Sequence, residues 1–441
     1  MPLAIFYPLA TLANIIMTKT ISKVHRFQGA PHIPGDKSIS HRGLIFGALA
    51  SGETTVLDPL ESADVQSTAK VLSGLGVKID KSHNKIKVHS SGIQNFKSPT
   101  VDLDCGNSGT TIRLMMGVLA GSNVEATLFG DVSLSKRPMK RVATPLQKMG
   151  AIVSLTNSNY PPLKVKGSPL QGIQYQLEVA SAQIKTAIIL AALFANGKTT
   201  ISGEIFSRDH TERLLQLFGA SLQVQGRKIE VDGGQKLNAA RVQVPGDPST
   251  AAFWMAAASL IPNSKIEMEN ISLNETRTGF IRALQQMGAN VKTEITIKEP
   301  ESIGKISVTA NQLRGISLSD ADIPQLIDEL PLIAVLATQA KGVTQVSGAA
   351  ELRVKESDRL EAVAKNIRAM GGVIEVREDG FLIEGPQKLK GARIETFHDH
   401  RIAMAFSIAG LVADGNTEIE NPECVSVSYP DFYKTLSELT K

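Results

Sequence analysis

Hydrophobic and polar positions along this chain form one passage repeated six times. In each repeat a polar turn opens a helix of small and apolar residues. Short alternating strands around a glycine-containing turn follow, and a second helix stops at glycine. The stops are the clearest punctuation: LGV at 75–77, MGA at 149–151, FGA at 218–220, MGA at 287–289 and MGG at 370–372. Gly76, Gly150, Gly219, Gly288 and Gly371 recur at intervals of roughly 70 to 80 residues. Each follows a helical pattern and precedes alternating apolar residues, which predicts a C′ glycine ahead of a strand. The openings are PGDKS at 34–38, GNSGT at 106–110, SAQ at 181–183, PGDPST at 245–250, IDELP at 327–331 and HDHR at 398–401. Free amides at a helix N-terminus favour anions, so six such ends around one cleft would suit a multiply charged substrate. The longest apolar runs, such as AIILAALFA at 187–195, have the length and small-residue content of buried helices.

The near-repeat of PGDKS and PGDPS divides the series in half, with three repeats between these turns and three after the second. An α/β protein of two similar domains is expected, each with three βαβαββ-like units packing helices on sheets. Residues 34–245 would form the first domain, and 17–33 plus 246–441 a discontinuous second one. The segment before Pro34 would add a strand to that second domain. Gly and Pro at both crossings suit a two-strand hinge, and domains so joined can close over a ligand. A single compact α/β body without hinge motion is the competing reading.

Composition narrows the chemistry. The length of 441 residues fits two or three domains of about 150 residues. A net charge of +4 over that length does not by itself imply nucleic-acid binding, but fits an acidic metabolite if the excess is concentrated in one place. Cys105 and Cys424 give neither a disulfide framework nor a zinc spacing, so a reducing, cytoplasmic setting is expected. Residues 1–18 are mostly apolar and uncharged, without the cationic region of a secretory signal. Pro8, Thr11 and Asn14 interrupt the run a membrane helix would need. Residues 1–16 read as a disordered upstream extension with the functional start near Met17; a membrane-touching tail is the alternative.

Cations cluster at several openings. In KESDR at 355–359, Lys355 and Arg359 would share one helix face, purposeful if both meet a bound anion, with Glu356 close enough to serve as acid or base. Lys37, Ser38 and Arg42 gather at the helix start of PGDKSISHR, where charge and dipole both favour phosphate. This is not a Walker loop, because the G-x-x-x-x-G-K-[ST] spacing is absent. SKRPMKR at 135–141 sets four cations around Pro138, a plausible first helical residue, with Arg137 held extended before it. Solvated basic surfaces are the competing readings for all three. Arg401 opens an apolar helix, where a salt bridge to Asp399 or a neighbour would also explain it. Asp328 and Glu329 precede a helix; one is expected to cap it and Asp328 could be a catalytic carboxylate. His41, His210, His398 and His400 show no metal-ligand grouping, and no nucleotide fingerprint or serine-hydrolase elbow is present.

PGDKSISHR, DCGNSGTTIRL, KRPMKR, ASAQIKTA, SRDHTERL, PGDPSTAAFW, DELP, RVKESDRL and DHRIAMAF, in this order, make the chain resemble the 5-enolpyruvylshikimate-3-phosphate synthase family from about residue 28 onward. The resemblance implies two inside-out α/β barrel domains on a double-strand hinge. It implies transfer of the enolpyruvyl group of phosphoenolpyruvate to shikimate 3-phosphate, with neither metal nor organic cofactor and no nucleic-acid or membrane partner, in a monomer. It places Lys37 where both substrates meet. Ser38, Arg42, Ser181, Ala182, Gln183, Ser207 and Arg208 would hold shikimate 3-phosphate, with Asp328 and Lys355 at its hydroxyls. Gly109, Arg137, Gln183, Arg359 and Arg401 would hold phosphoenolpyruvate. Lys37, Asp328 and Glu356 would be catalytic, with Glu356 facing the methylene carbon.

Three positions depart from the best-known branch of that family. Ala182 replaces a serine, Glu351 an asparagine that contacts shikimate 3-phosphate, and Val427 a phosphoenolpyruvate-binding lysine. Gly109 lacks the methyl of an alanine that would crowd glyphosate, so sensitivity is expected. The nearest rival is the sister family that uses UDP-N-acetylglucosamine, which carries a KN pair where Lys37–Ser38 stands and a reactive loop cysteine; Cys105 reads instead as a small buried residue. RNA-end binding on a related fold would want stacking aromatics, and aromatic content is 5%. A non-catalytic phosphosugar-binding protein would keep the arginines without needing Asp328 and Glu356.

Overall fold

Two kinds of helix give the molecule its layers. The helices that open the repeats are apolar all round: Pro248–Leu260, Ala182–Ala192 and Leu330–Gln339 bury nearly every side chain. The second helices, such as Lys140–Lys148, His210–Leu217 and Gly279–Gln286, keep a polar face in water. A computed structural model describes residues 17–441, so the expected extension at 1–16 lies outside the described residues. In it the apolar helices sit centrally and six separate sheets of three to five strands surround them. Among the described residues no sheet continues into another, so the inside-out barrels are closed by helix packing and not by a strand ladder.

Buried apolar side chains form two cores. One draws on Ile39 to Val244, the other on Ile21, Phe27, Ile33 and Ala251 to Leu439. Each core is wrapped by three of the sheets, the two-domain α/β arrangement. The segment before Pro34 does serve the second core: Thr18–Ser22 pairs antiparallel with Asn416–Glu420, and Gln28–Gly29 pairs with the start of Lys265–Ser272.

All five glycine stops have positive φ, from 76° at Gly219 to 105° at Gly150. At the first, Gly76 N–H donates to Ser73 O and Val77 N–H to Leu72 O, closing the last turn. The two crossings between cores pair with each other. Asp36 N–H donates to Pro245 O at 2.7 Å and Asp247 N–H to Pro34 O at 2.9 Å, so the hinge is a two-stranded bridge centred on Gly35 and Gly246.

Within the first core, the openings GNSGT and SAQ are set by one close approach. Gly117 lies against the backbone of Ala187, where an added Cβ would stand 2.3 Å from the carbonyl oxygen. Nothing larger than hydrogen fits between these helices, and their start points are locked together at the cleft. Among the described residues, no helix is long and apolar enough to cross a membrane.

Candidate active site

Five of the six helix openings converge on one cavity of about 570 Å³ between the cores. Its lining contains every residue expected to bind substrate or act in catalysis: Lys37, Ser38, Arg42, Gly109, Arg137, Ser181, Ala182, Gln183, Ser207, Arg208, Asp328, Lys355, Glu356, Arg359 and Arg401. The sixth opening, Asp247–Thr250, is not part of the lining and serves the hinge instead. Few of these helix starts offer bare amides. Asp36 accepts from Ile39 N–H, Ser108 from Thr111 N–H, Ser181 from Ile184 N–H and Asp399 from Arg401 N–H. The cleft's positive character therefore rests mainly on side chains.

The first core contributes one wall. Arg42 is buried and anchored, donating to Thr211 and Thr186 hydroxyls at 2.8 Å each and to Ser38 O at 3.0 Å; burial brings its pKa down to about 10. Lys37 Nζ pairs with Asp64 at 3.2 Å. Arg137 has the extended backbone expected before Pro138 and donates to Asn107 Oδ1 at 2.7 Å. The helix after it begins at Lys140, so Pro138 lies outside it, contrary to expectation. A Cβ on Gly109 would stand 3.2 Å from Arg137 Nη1 and 3.3 Å from Arg113 Nη1. The Ser207–Arg208 segment is held from behind by buried Lys185, which donates to Ile205 O and Ser207 O and pairs with Glu212 at 2.7 Å.

The opposite wall is a mesh of arginines and carboxylates. Arg359, fully buried, donates to Asp399 at 2.8 Å, to Glu356 at 2.7 Å and to Asp328 at 3.3 Å. Asp328 also pairs with Arg208 from the other core, with Lys355 at 3.8 Å and with Arg401 at 3.8 Å. Burial opposes ionisation of Asp328, but Arg401, Lys355, Arg208 and Arg359 outweigh it and hold the carboxyl well below the usual range. Glu356 behaves alike: burial is outweighed by Arg359 and Arg137, which hold it as a carboxylate. His400, also in the lining, is pushed down to about 3 by burial and then by Lys37, and is neutral.

Two further expectations need correction. KESDR is not one helix: a 3₁₀ turn ends at Val354 and the helix starts at Arg359 with Asp358 as cap, so Lys355 and Glu356 project from a bend. Neither Asp328 nor Glu329 caps the helix Leu330–Gln339 through its side chain; both carboxylates face cations. Arg401 pairs with a neighbour, the second of the two partners expected, and not with Asp399, which is taken by Arg359; its guanidinium reaches Asp328 O at 3.2 Å and Glu329 at 3.5 Å. Cys105 is buried, as expected, and burial pushes its thiol up.

The sequence reading missed the role of Arg113 and singled out Arg141 only within the basic run SKRPMKR. Arg113 lies one turn beyond Gly109, donates to Gln183 Oε1 at 2.6 Å, and is brought to about 10 by burial and by Arg137 and Arg141. A lone cation in the otherwise apolar helix Gly109–Ala120 was its available signal. Arg141 reaches across the cleft mouth to Glu351 with two contacts, at 2.8 and 3.2 Å. Val427 is not part of the lining. A second cavity, about 490 Å³ beside the hinge, carries Asp58, Glu61, Glu269 and Asp431 and does not suit an anion. Among the described residues, no group of three or more His, Cys, Asp or Glu could hold a metal ion.

The family model for EPSP synthase (3-phosphoshikimate 1-carboxyvinyltransferase) matches residues 21–436. The chain belongs to the EPSP synthase family. A relative from Streptococcus sanguinis named 3-phosphoshikimate 1-carboxyvinyltransferase is 47% identical over 427 residues, 96% of this chain and 99% of that one. One of the same name from Bacillus pumilus is 46% identical over 425 residues, 95% of this chain and 99% of the other. A solved EPSP synthase from Acinetobacter baumannii superposes with a TM-score of 0.85 at 40% identity, covering 96% of this chain and 98% of that one.

Proposed function

We propose that the cleft holds shikimate 3-phosphate and phosphoenolpyruvate side by side, each anion answered by side chains from both cores. The chain is a carboxyvinyl transferase of the shikimate pathway: it moves the enolpyruvyl group of phosphoenolpyruvate to the 5-hydroxyl of shikimate 3-phosphate and releases phosphate. Convergence of Lys37, Arg137, Arg359 and Arg401 on a single lining with Asp328 and Glu356 is the observation that carries the site assignment.

In this reading Ser181, Ala182, Gln183, Ser207 and Arg208 receive the 3-phosphate, with Ser38 and Arg42 beside them and Asp328 and Lys355 at the ring hydroxyls. Lys37, Gly109, Arg137, Gln183, Arg359 and Arg401 receive phosphoenolpyruvate. The 5-hydroxyl attacks C2 as its proton passes to Asp328, while C3 gains a proton from Glu356, aided by Lys37. The resulting tetrahedral ketal then returns a methyl proton to the Glu356 carboxylate, the C2–O bond to phosphate breaks with its electron pair leaving on phosphate, and the vinyl group reforms on the shikimate oxygen. Carboxylates must accompany the arginines because positive charge develops at C2.

The cations around Asp328 and Glu356 explain how ionised groups reach these roles. Each carboxylate is held low by cations that substrate phosphates and carboxylate would engage, so bound substrate raises its proton affinity. Phosphoenolpyruvate on Arg137 and Arg359 would let Glu356 take up the proton it delivers. A phosphate on Arg208 would free Asp328 to act as base.

We take 34–245 and 17–33 plus 246–441 as the two domains, and a cytoplasmic monomer as the working form; two free cysteines support a reducing setting. The test is phosphate release from phosphoenolpyruvate without added metal. Release is expected with shikimate 3-phosphate as acceptor and not with UDP-N-acetylglucosamine. The reverse pattern would overturn the reading.

A further inference from the structure

A buried polar cluster outside the cleft lies where the two crossings meet, and its centre is Arg277. Only 5% of this residue is exposed. Nη1 donates to Asp36 Oδ2 at 2.6 Å, and Nη2 donates to Asp247 Oδ1 at 2.8 Å and Ser249 Oγ at 2.9 Å. Asp36 and Asp247 are the N-caps of the helices Lys37–Leu49 and Pro248–Leu260, one on each side of the hinge. Each has a second contact into the helix Lys37–Leu49: Asp36 Oδ1 accepts from Ile39 N–H at 2.9 Å, and Asp247 Oδ2 accepts from Lys37 N–H at 3.1 Å. One guanidinium from the second core thus grips two caps, and both caps grip the first turn that carries Lys37.

The residue type follows from the task. Two buried carboxylates at converging helix starts would repel each other, and each has already spent an oxygen on a backbone amide. A planar fork with paired donors answers both at once; an ammonium has a single nitrogen to share between them. Burial opposes ionisation of Asp36, yet Arg277 and then His210 hold it below its usual range. The arrangement leaves the Lys37 backbone pinned across the hinge while its ammonium stays at the cleft.

We propose that Arg277 is a positioning residue for the reaction: by clamping Asp36 and Asp247 together it fixes the start of the helix Lys37–Leu49 against the second core and so aims Lys37 at both substrates. This rests on the role given to Lys37 above. A lost clamp displaces Lys37 without touching the residues that bind shikimate 3-phosphate elsewhere, so turnover should suffer more than affinity. Misplacement of a reacting group by about 1 Å can cost on the order of 100-fold in rate.

The test compares wild-type protein with Arg277→Lys, which keeps the charge and loses the fork. Thermal unfolding establishes that the variant is folded at the assay temperature. Kinetics with both substrates should show kcat down at least ~10-fold with KM for each substrate within ~3-fold. Hydrogen exchange should accelerate at least ~10-fold at the Lys37 and Ile39 amides and stay at wild-type rates from Leu44 to Phe46. A folded variant with unchanged kcat, or with unchanged exchange at Lys37 and Ile39, would overturn the proposal. If the wild-type protein released no phosphate, the proposed function would fail while the exchange experiment still judged the clamp. If Arg277→Lys did not fold, Ser249→Ala, which removes one acceptor of the fork, would replace it. A kcat fall of at least ~3-fold with faster exchange at Lys37 is then expected, and wild-type values for both would overturn the idea.

Discussion

In the proposed mechanism Glu356 meets two conditions: it is an anion among its cations and an acid once phosphoenolpyruvate is bound. Its contacts with Arg359 and Arg137 supply the first condition, and arriving phosphoenolpyruvate the second. Glu356→Gln keeps the shape and removes the proton traffic, so turnover should fall about 10²- to 10⁴-fold. Shikimate 3-phosphate binding, read by calorimetry, should change little; near-normal turnover would refute the assignment. Gly109 makes a second prediction. A methyl there would press on the guanidiniums of Arg137 and Arg113, both within 3.3 Å. The natural glycine leaves that room open, so millimolar glyphosate should inhibit, and Gly109→Ala should weaken inhibition and raise KM for phosphoenolpyruvate together. Histidines yield a pH effect. His41 and His400 are buried and held below their ordinary value, first by burial and then by Lys37. Unfolded histidine binds its proton near pH 6.5, so below that value the unfolded state holds more protons and stability falls. The thermal midpoint should drop between pH 7 and pH 5; a flat profile over that range would contradict the burial argument.

At the scale of elements, the repeat was legible because its punctuation is local. A glycine that ends a helix by taking positive φ needs no distant partner, and all five stops behave so. Gly371 tests this cleanly: nothing lies within 4 Å of an added Cβ, so Gly371→Ala meets only backbone strain and should cost about 1–2 kcal/mol in chemical unfolding. Gly117→Ala differs, since the Ala187 backbone is in the way. It should cost about 1–3 kcal/mol and also impair catalysis, because it pushes apart the two openings that carry Gly109 and Gln183. Stability loss without kinetic loss would mean that these helices do not set the site. Other elements were not legible. KESDR reads as helix from spacing alone, yet Asp358 caps the chain after Glu356 and leaves Lys355 and Glu356 on a bend. The caps that consume the amides at Ser108, Ser181 and Asp399 were visible as residue types, but the sequence does not show whether a hydroxyl or carboxylate turns inward.

For the whole molecule, which cations face one another was readable only through the resemblance, since residues separated by two hundred positions meet across the cleft. Asp328, Glu356 and Asp399 were legible as candidates, but which cation each carboxylate holds was not. Arg141 and Glu351 are the plainest case. Glu351 stands where a relative's asparagine would contact substrate, but here it forms a two-contact bridge from one core to the other at the cleft mouth. Both side chains are well exposed, so the bridge should contribute only about 0.2–1 kcal/mol and weaken with salt. Glu351→Gln should therefore change KM less than about fivefold, and the reversed pair Arg141→Glu with Glu351→Arg should restore most of the difference. In the proposed function, hinged lobes gather scattered cations so that two acidic metabolites lie against each other. A crystal structure of the Glu356→Gln variant with both substrates tests it most directly. The account predicts the 3-phosphate against Ser181, Ser207 and Arg208, and phosphoenolpyruvate among Arg137, Arg359 and Arg401 with C2 facing the 5-hydroxyl; either ligand bound outside this cleft would contradict it.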